Sequence, residues 1–359
     1  MTHTSLAEEK YFQIKILGRM LEHLGVQMYK KRNTAIAELV ANAWDAGATE
    51  VYISIPDESD YSRDESFIII EDNGSGMDET DVQNKYMMVG RNRRKDTKNK
   101  FETEEKEPTK LLIGSDQTEL IRLTEITNNR KVMGRKGIGK LAGFGIATNM
   151  EVQTWQNNHL TDFLMKLDDL KIDDNEAKDI DIKYETFEQP PEESRTNESH
   201  GTRILLSALK HKSSIDIQSL KDSISRRFSR TVRGQMNIYV NDELVEEPDL
   251  TYKYRFPEDG SDFAEAELSD GNKVFYEWRL AGTTIRQPEM RGFTIHANGK
   301  TAQAPNFFFD VEGTATGQHG TKVLVGTIEA DYLDEGTDDE TDFISTDRQE
   351  IDWDRTFAF

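Results

Sequence analysis

Glu38, Asn42 and Asp45 stand at i, i+4 and i+7, so a helix would carry them on one face, opposite a stripe of Ile36, Leu39, Val40 and Ala43. A polar triplet of this kind is ordinary on a solvated helix, and it gains meaning only from two further groups along the chain. Asp72 comes immediately before Asn73-Gly74-Ser75-Gly76, just after the apolar run Phe67-Ile68-Ile69-Ile70. There a carboxylate can face a cleft while the glycines let a flat ring lie against the backbone, and it would accept a hydrogen bond from an exocyclic amine such as that of adenine. The third group is Gly134-Arg135-Lys136-Gly137-Ile138-Gly139-Lys140. Closely spaced glycines let successive N–H groups converge, and the start of a helix adds the positive end of its dipole, a combination suited to phosphate. The same residues satisfy the G-x-x-x-x-G-K front of a P-loop. However, Leu141 stands where a P-loop needs Ser or Thr for magnesium, and Asn128-Asn129-Arg130-Lys131 makes a poor buried strand.

The elements that must hold these groups can be read from periodicity and punctuation. The pattern predicts a helix over 34–46 with Gly47 at its C-cap, strands over 51–55 and 67–70, and a helix over 78–88. Residues 90–133 are largely charged and irregular, with apolar islands at 111–113 and 120–126, the pattern of a functional lid or a disordered insert. A helix is expected over 141–147, strands over 151–155 and 162–167, an acid-rich excursion between 161 and 200, and a strand over 201–206. An amphipathic helix over 214–232 and strands over 236–240, 274–280, 293–296 and 322–330 complete the outline. These elements divide into a first domain over 1–220 and a second over 221–359.

At 359 residues the chain has room for two domains with their own cores. It holds 45 Lys and Arg against 67 Asp and Glu, a formal net charge of −22, which disfavours strong binding to bare DNA through a basic surface. Two local basic clusters remain: Arg91, Arg93, Arg94, Lys95, Lys98 and Lys100, and then Arg226, Arg227, Arg230 and Arg233 at helical spacing. With no cysteine, disulfides, Cys-ligated zinc, iron–sulfur clusters and thiol nucleophiles are excluded. No run approaches the ~18 apolar residues of a membrane span, and residues 1–10 lack the apolar centre of a signal peptide. The expectation is a cytoplasmic protein with no membrane partner.

In this order and spacing, the Glu38/Asn42/Asp45 helix, Asp72-x-Gly74-x-Gly76, Gly134-x-x-Gly137-x-Gly139 and Gly201-Thr202 resemble the GHKL ATPases, the superfamily of gyrase B, Hsp90, histidine kinases and MutL, over residues 15–210. The resemblance implies an α+β fold: a Bergerat-type ATP-binding α/β sandwich followed by a β-rich, S5-like α/β transducer domain, as in MORC-like two-domain members. It implies ATP and Mg2+ as cofactors. Residue by residue, Glu38 would be the general base that takes a proton from the attacking water, and Asn42 would be the Mg2+ ligand. Asp45 and Ala46 would lie under the nucleotide. Asp72 would read the adenine amino group, reinforced by Thr202, while Gly74 and Gly76 shape the base pocket and Met77 covers the ring. Gly134, Lys136, Gly137, Ile138, Gly139 and Lys140 would cradle the phosphates, and residues 90–133 would be the ATP lid. A second-domain lysine would reach the γ-phosphate. Lys300, in Asn298-Gly299-Lys300, and Lys322, in Gly320-Thr321-Lys322, both qualify, with Arg348 behind them.

The resemblance further implies slow ATP hydrolysis that gates a homodimer. The dimer would close through the N-terminal region, where Tyr11, Phe12, Ile14, Ile16, Leu17, Met20, Leu21 and Leu24 form an apolar stripe. A histidine kinase would need a phosphoacceptor histidine on a dimerising helix, and neither His3 nor His23 sits in one. A non-hydrolysing nucleotide-sensing module that binds a protein partner and an Hsp90-like chaperone are the alternatives. A role in a DNA-transaction or phage-defence system rests on analogy alone.

Overall fold

The computed structural model describes residues 31–90, 130, 132–134, 137–170, 181–196, 198–247, 251–309, 320–334, 343–345 and 350–353. The N-terminal apolar stripe, the basic cluster at 91–100, nearly all of the expected lid, Lys136 and Arg348 lie outside the described residues.

The first helix among the described residues, α1, runs over Arg32–Asp45 and buries Ile36, Leu39, Val40 and Ala43, the stripe its periodicity predicts. It stops because Gly47 adopts φ +79°, a left-handed conformation that ends the helix, and its N–H closes on Trp44 O at 2.9 Å.

α1 lies on one face of an eight-stranded sheet. Its strands are β1 (Glu50–Ser54), β2 (Ile68–Asp72), β3 (Ala147–Gln156), β4 (His159–Lys166), β5 (Tyr184–Phe187), β6 (Gly201–Leu209), β7 (Asn237–Val240) and β8 (Glu243–Leu244), in the order β5-β4-β3-β6-β2-β1-β7-β8. All neighbours are antiparallel except β1 and β7. The registers align Tyr239, Tyr52, Glu71, Arg203, Gln153, Asp162 and Glu185 in one polar row across seven strands. The adjacent positions Ile53, Ile70, Ile204 and Val152 are buried, the alternation of an antiparallel sheet with one apolar face.

Three expected helices take other forms. The one expected over 78–88 is a single α-turn at Glu79–Asp81, capped by Asp78, followed by a π-helical turn at Val82–Tyr86. The one expected over 141–147 is a 3-10 helix at Gly139–Gly145. The long helix expected over 214–232 is two, α2 (Ile217–Arg227) and α3 (Arg230–Gln235). The break falls where Phe228 forms a backbone bridge to Lys300 and Ser229 N donates to Gly299 O at 2.9 Å. Apolar periodicity carries no trace of backbone bonds made to a segment about seventy residues away.

The first core also continues past residue 220, taking in Leu220, Ile224, Phe228, Val232, Met236, Ile238, Val240 and Val245. The parallel pairing of β7 with β1 draws this stretch into the first sheet. The first packed unit therefore extends to Val245.

The second unit is a six-stranded sheet of β9 (Tyr252–Phe256), β10 (Ala264–Glu267), β11 (Lys273–Ala281), β12 (Gly292–Ala297), β13 (Lys300–Phe307) and β14 (Leu324–Glu329), ordered β10-β11-β14-β12-β13 with β9 also on β11. β9, β10 and β13 were not among the expected strands. β12 and β13 form a hairpin whose two-residue turn, Asn298-Gly299, has φ +51° and +79°. Positive φ at both positions matches the strand twist, and Asn-Gly is the pair that adopts it most readily. The molecule is thus an α/β layer structure followed by a β-rich unit, in agreement with the expected fold class.

Candidate functional site

Asp72 ends β2 with its side chain buried, 7% exposed. Oδ1 accepts from Gly74 N at 2.8 Å, and Oδ2 takes no hydrogen bond among the described residues. Burial, with a smaller contribution from the charge of Glu71, pushes the carboxyl up to about 7 against the opposing Gly74 N–H. Around it the Asp72–Gly76 loop is held closely. A Cβ at Gly76, where φ is +61°, would stand 1.9 Å from Trp155 O, so only glycine fits. Thr202 pairs with Asp72 across β6 and β2, and its Oγ1 lies 3.2 Å from Thr154 Oγ1. Thr154 in turn accepts from Met77 N at 2.9 Å, which fixes the start of the segment after the loop. Ala46 O accepts from Ser75 N at 2.9 Å and thereby joins the end of α1 to the same loop.

Asp45 differs from its expected place under a nucleotide. It is 3% exposed, and its two oxygens accept from Met133 N at 2.7 Å and Gly134 N at 2.8 Å. Its carboxylate fixes the entry to the glycine-rich turn. Lys140 also differs from the expected phosphate ligand. Its ammonium donates to Tyr86 O at 2.5 Å, Met88 O at 2.6 Å and Lys85 O at 3.4 Å, so it caps the end of the π-helical turn.

Glu38 and Asn42 face the same turn. A Cβ at Gly139 would stand 3.2 Å from Glu38 Oε2 and 3.8 Å from Asn42 Oδ1, so the bare backbone of Gly139 leaves a gap between loop and helix. Among the described residues no hydrogen bond engages the Asn42 amide. Gly137, with φ +63°, and Ile138 lead into this gap. From the second unit, Lys300 reaches Glu38, with Nζ 2.8 Å from Oε1. The Asn298-Gly299 turn projects the lysine, and Gly299 packs close to Met133, whose Cε would lie 3.4 Å from a Cβ placed there.

A carboxylate, an uncommitted amide, the bare backbone of Gly139 and a buried lysine thus share one space, and α1 connects it to a half-satisfied carboxylate at Asp72. Residues 29–202 match the histidine kinase-, DNA gyrase B-, and HSP90-like ATPase family. The match covers α1, Asp72, the glycine turn and Thr202. Over 363 residues the chain is 29% identical to a protein of Herpetosiphon aurantiacus named "Putative type II restriction enzyme HgiDII". That alignment covers 95% of the chain and 52% of the relative, so the chain spans about half the relative's length.

Of the two candidate lysines, Lys300 is the one that meets α1, and the strand registers place Lys322 away from it. β12 and β14 run parallel with Gly292 opposite Val325 and His296 opposite Glu329, so Lys322 precedes the end of β14 that is remote from Asn298. The length of β12 at about 3.3 Å per residue puts the two lysine backbones on the order of 20 Å apart.

The second basic cluster resolves into internal contacts. Arg226 is buried and donates to Gly292 O at 3.2 Å, its guanidinium pulled down to about 10 by burial. Arg227 donates to Thr34 Oγ1 at 2.8 Å and Arg233 to Glu247 at 3.1 Å. The side chain of Arg230 lies outside the described residues.

Sequence reasoning missed several supporting residues. Asn73 Oδ1 accepts from Thr49 N at 2.8 Å and Glu50 N at 2.9 Å. His200 Nδ1 donates to Gly74 O at 2.9 Å. Arg130 stacks 4.0 Å over Trp44 and donates to Ala48 O at 2.6 Å. The placement of Asn73 inside the Asp72–Gly76 motif and of His200 just before Gly201-Thr202 was the available clue.

Proposed function

We propose that the chain binds ATP with Mg2+ along α1 and hydrolyses it, with the adenine at Asp72 and the terminal phosphate between Glu38 and the Gly137–Gly139 turn. The observation that carries this reading is the convergence of Glu38, Asn42 and Gly139 on one gap, with Asp72 at the other end of the same helix. From Glu38 to Ala46 the helix rises about 12 Å, enough to hold a base at one end and a triphosphate at the other. The residues fit such a ligand: Asp72 has an oxygen for the adenine amine, and the Asn42 amide has an oxygen for a hard cation.

In this reading Glu38 takes the proton of a water whose oxygen attacks the terminal phosphorus. The bond from that phosphorus to the bridging oxygen breaks, its electron pair leaves with ADP, and inorganic phosphate is released. Asn42 would hold Mg2+, which when bound would supply positive charge against the phosphates. Thr202 and Thr154 order the polar side of the base pocket, Met77 covers the ring, Ala46 forms its floor, and Lys300 meets the negative charge of the terminal phosphate. Gly74, Gly76, Gly134 and Ile138 shape the backbone around the nucleotide.

The coupling proposed for this cycle is closure of two copies through the N-terminal region, with the second unit as an S5-like transducer of MORC-like type. Similarity to a protein named as a restriction enzyme supports a DNA-directed system, such as defence against phage, as the setting. Calorimetric titration with Mg2+ATP and a phosphate-release assay test the site. Glu38→Gln should keep ATP and lose turnover, and Asp72→Asn should weaken ATP binding. Wild-type turnover in the first variant, or wild-type affinity in the second, overturns the assignment of that residue. Sedimentation of Glu38→Gln with ATP and with ADP tests the dimer, and a monomer under both conditions overturns it.

A further inference from the structure

Lys300 and Glu38 are opposite charges from different packed units, with side chains only 4% and 12% exposed. The backbone that carries Lys300 is held on several sides. Asn298 N donates to Asp331 Oδ1 at 2.7 Å, Gly299 O accepts from Ser229 N at 2.9 Å, and Thr301 Oγ1 donates to Arg227 O at 3.0 Å. The hairpin tip therefore delivers the ammonium to α1 as part of a fixed docking arrangement. Its partner oxygen, Glu38 Oε1, belongs to the carboxylate that the ATP reading makes the proton acceptor. The other oxygen, Oε2, faces the Gly139 turn.

We infer that the Lys300–Glu38 ion pair is an autoinhibitory latch between the two units: without a terminal phosphate the ammonium occupies the base, and a γ-phosphate at Gly139 competes for the ammonium and frees it. The latch rests on the ATP reading above and adds to it a second duty for Glu38, as the residue that docks the second unit on α1. A γ-phosphate and a carboxylate are both anionic acceptors for one ammonium, so the exchange conserves charge pairing at a buried site where an unpaired charge is costly. ADP lacks the group that can make this exchange and leaves the latch closed. Base release and commitment of the second unit to the nucleotide become one event, driven only by the difference between ATP and ADP in contact with Lys300.

Hydrogen exchange across the β12–β13 hairpin, in nucleotide-free protein, with Mg2+ADP and with a non-hydrolysable Mg2+ATP analogue, tests the latch. Glu38→Gln and Lys300→Met should each speed nucleotide-free exchange at the hairpin tip, by about tenfold, and the double variant should be no faster than either. The analogue should restore protection in Glu38→Gln, where the γ-phosphate replaces the lost carboxylate, and should fail to do so in Lys300→Met. ADP should restore neither. Additive effects in the double variant, or equal protection of Glu38→Gln by ADP and the analogue, overturn the latch. If Glu38→Gln does not fold, Glu38→Asp, which keeps the charge but withdraws it from Nζ, carries the same comparison. Failure of the analogue to bind wild-type protein in a titration overturns the ATP reading and the latch with it. Binding of the analogue to Glu38→Gln with no change in its hairpin exchange overturns the latch alone.

Discussion

At the end of β2 a buried carboxylate, Asp72, takes one backbone hydrogen bond and has its pKa pushed up to about 7, whereas the two carboxylates that α1 carries have strong partners within the protein. Asp45 accepts two backbone N–H groups and Glu38 accepts a lysine ammonium. A buried carboxylate that the protein itself satisfies holds structure together, and one left half-satisfied is disposed toward a ligand. The contrast separates two aspartates that look alike as letters. Asp45 fixes the glycine-rich turn, while Asp72 keeps an oxygen without a hydrogen bond among the described residues. Glu38 stands between these cases, since its present partner comes from another unit and can be exchanged.

The largest effect is expected at Glu38. Replacement by Gln should lower phosphate release by about 10²–10⁴-fold, the range for loss of a general base, with ATP still bound. Asp45→Asn comes next. Its amide can accept from only one of the Met133 and Gly134 N–H groups and turns a donor toward the other, so urea unfolding should show a loss of about 2–4 kcal/mol. An unchanged midpoint would remove Asp45 from the structural side of the comparison.

Asp72→Asn should show the opposite pattern, with ATP affinity reduced by about 10–100-fold, the strength of one charge-assisted hydrogen bond. Its effect on nucleotide-free stability depends on pH. The folded-state pKa is raised from 3.8 to about 7 by burial, so the stability linked to Asp72 is fully present below pH 3.8 and is lost as pH rises through about 7. Near pH 8, where wild type keeps a buried charge with one hydrogen bond, the Asn variant should therefore melt no lower than wild type. Nucleotide affinity of the wild type should in turn fall as pH drops below about 7, because protonation removes the negative charge that strengthens the bond from the amine. A pH-independent affinity would show that Asp72 does not meet the ligand. The smallest effect belongs to Lys322→Ala, which should leave turnover within about twofold of wild type, since the residue lies off the site. A loss as large as that of Lys300→Ala would reverse the choice between the two lysines.

Much of this was legible in the residues themselves. The spacing of Glu38, Asn42 and Asp45 and the apolar stripe opposite them determine α1 and its polar face, because helical geometry is local. Gly47 and the Asp72–Gly76 loop likewise declare themselves, because backbone conformations at positive φ admit few residue types. Where the hydrogen bonds of Asp45 and Lys140 go was not legible, since a carboxylate or ammonium has the same letter whether it meets a ligand or a backbone group. The split of the 214–232 stretch into α2 and α3 and the extension of the first core to Val245 depend on pairings with residues far along the chain. The choice of Lys300 over Lys322 is of the same kind. Both lysines lie close after a Gly in polar surroundings, and only the parallel register of β12 with β14 and the docking of the hairpin on Phe228 and Ser229 bring one of them to Glu38. Local stereochemistry is written in sequence spacing, whereas the meeting of two charges 262 positions apart is decided by how two sheets pack.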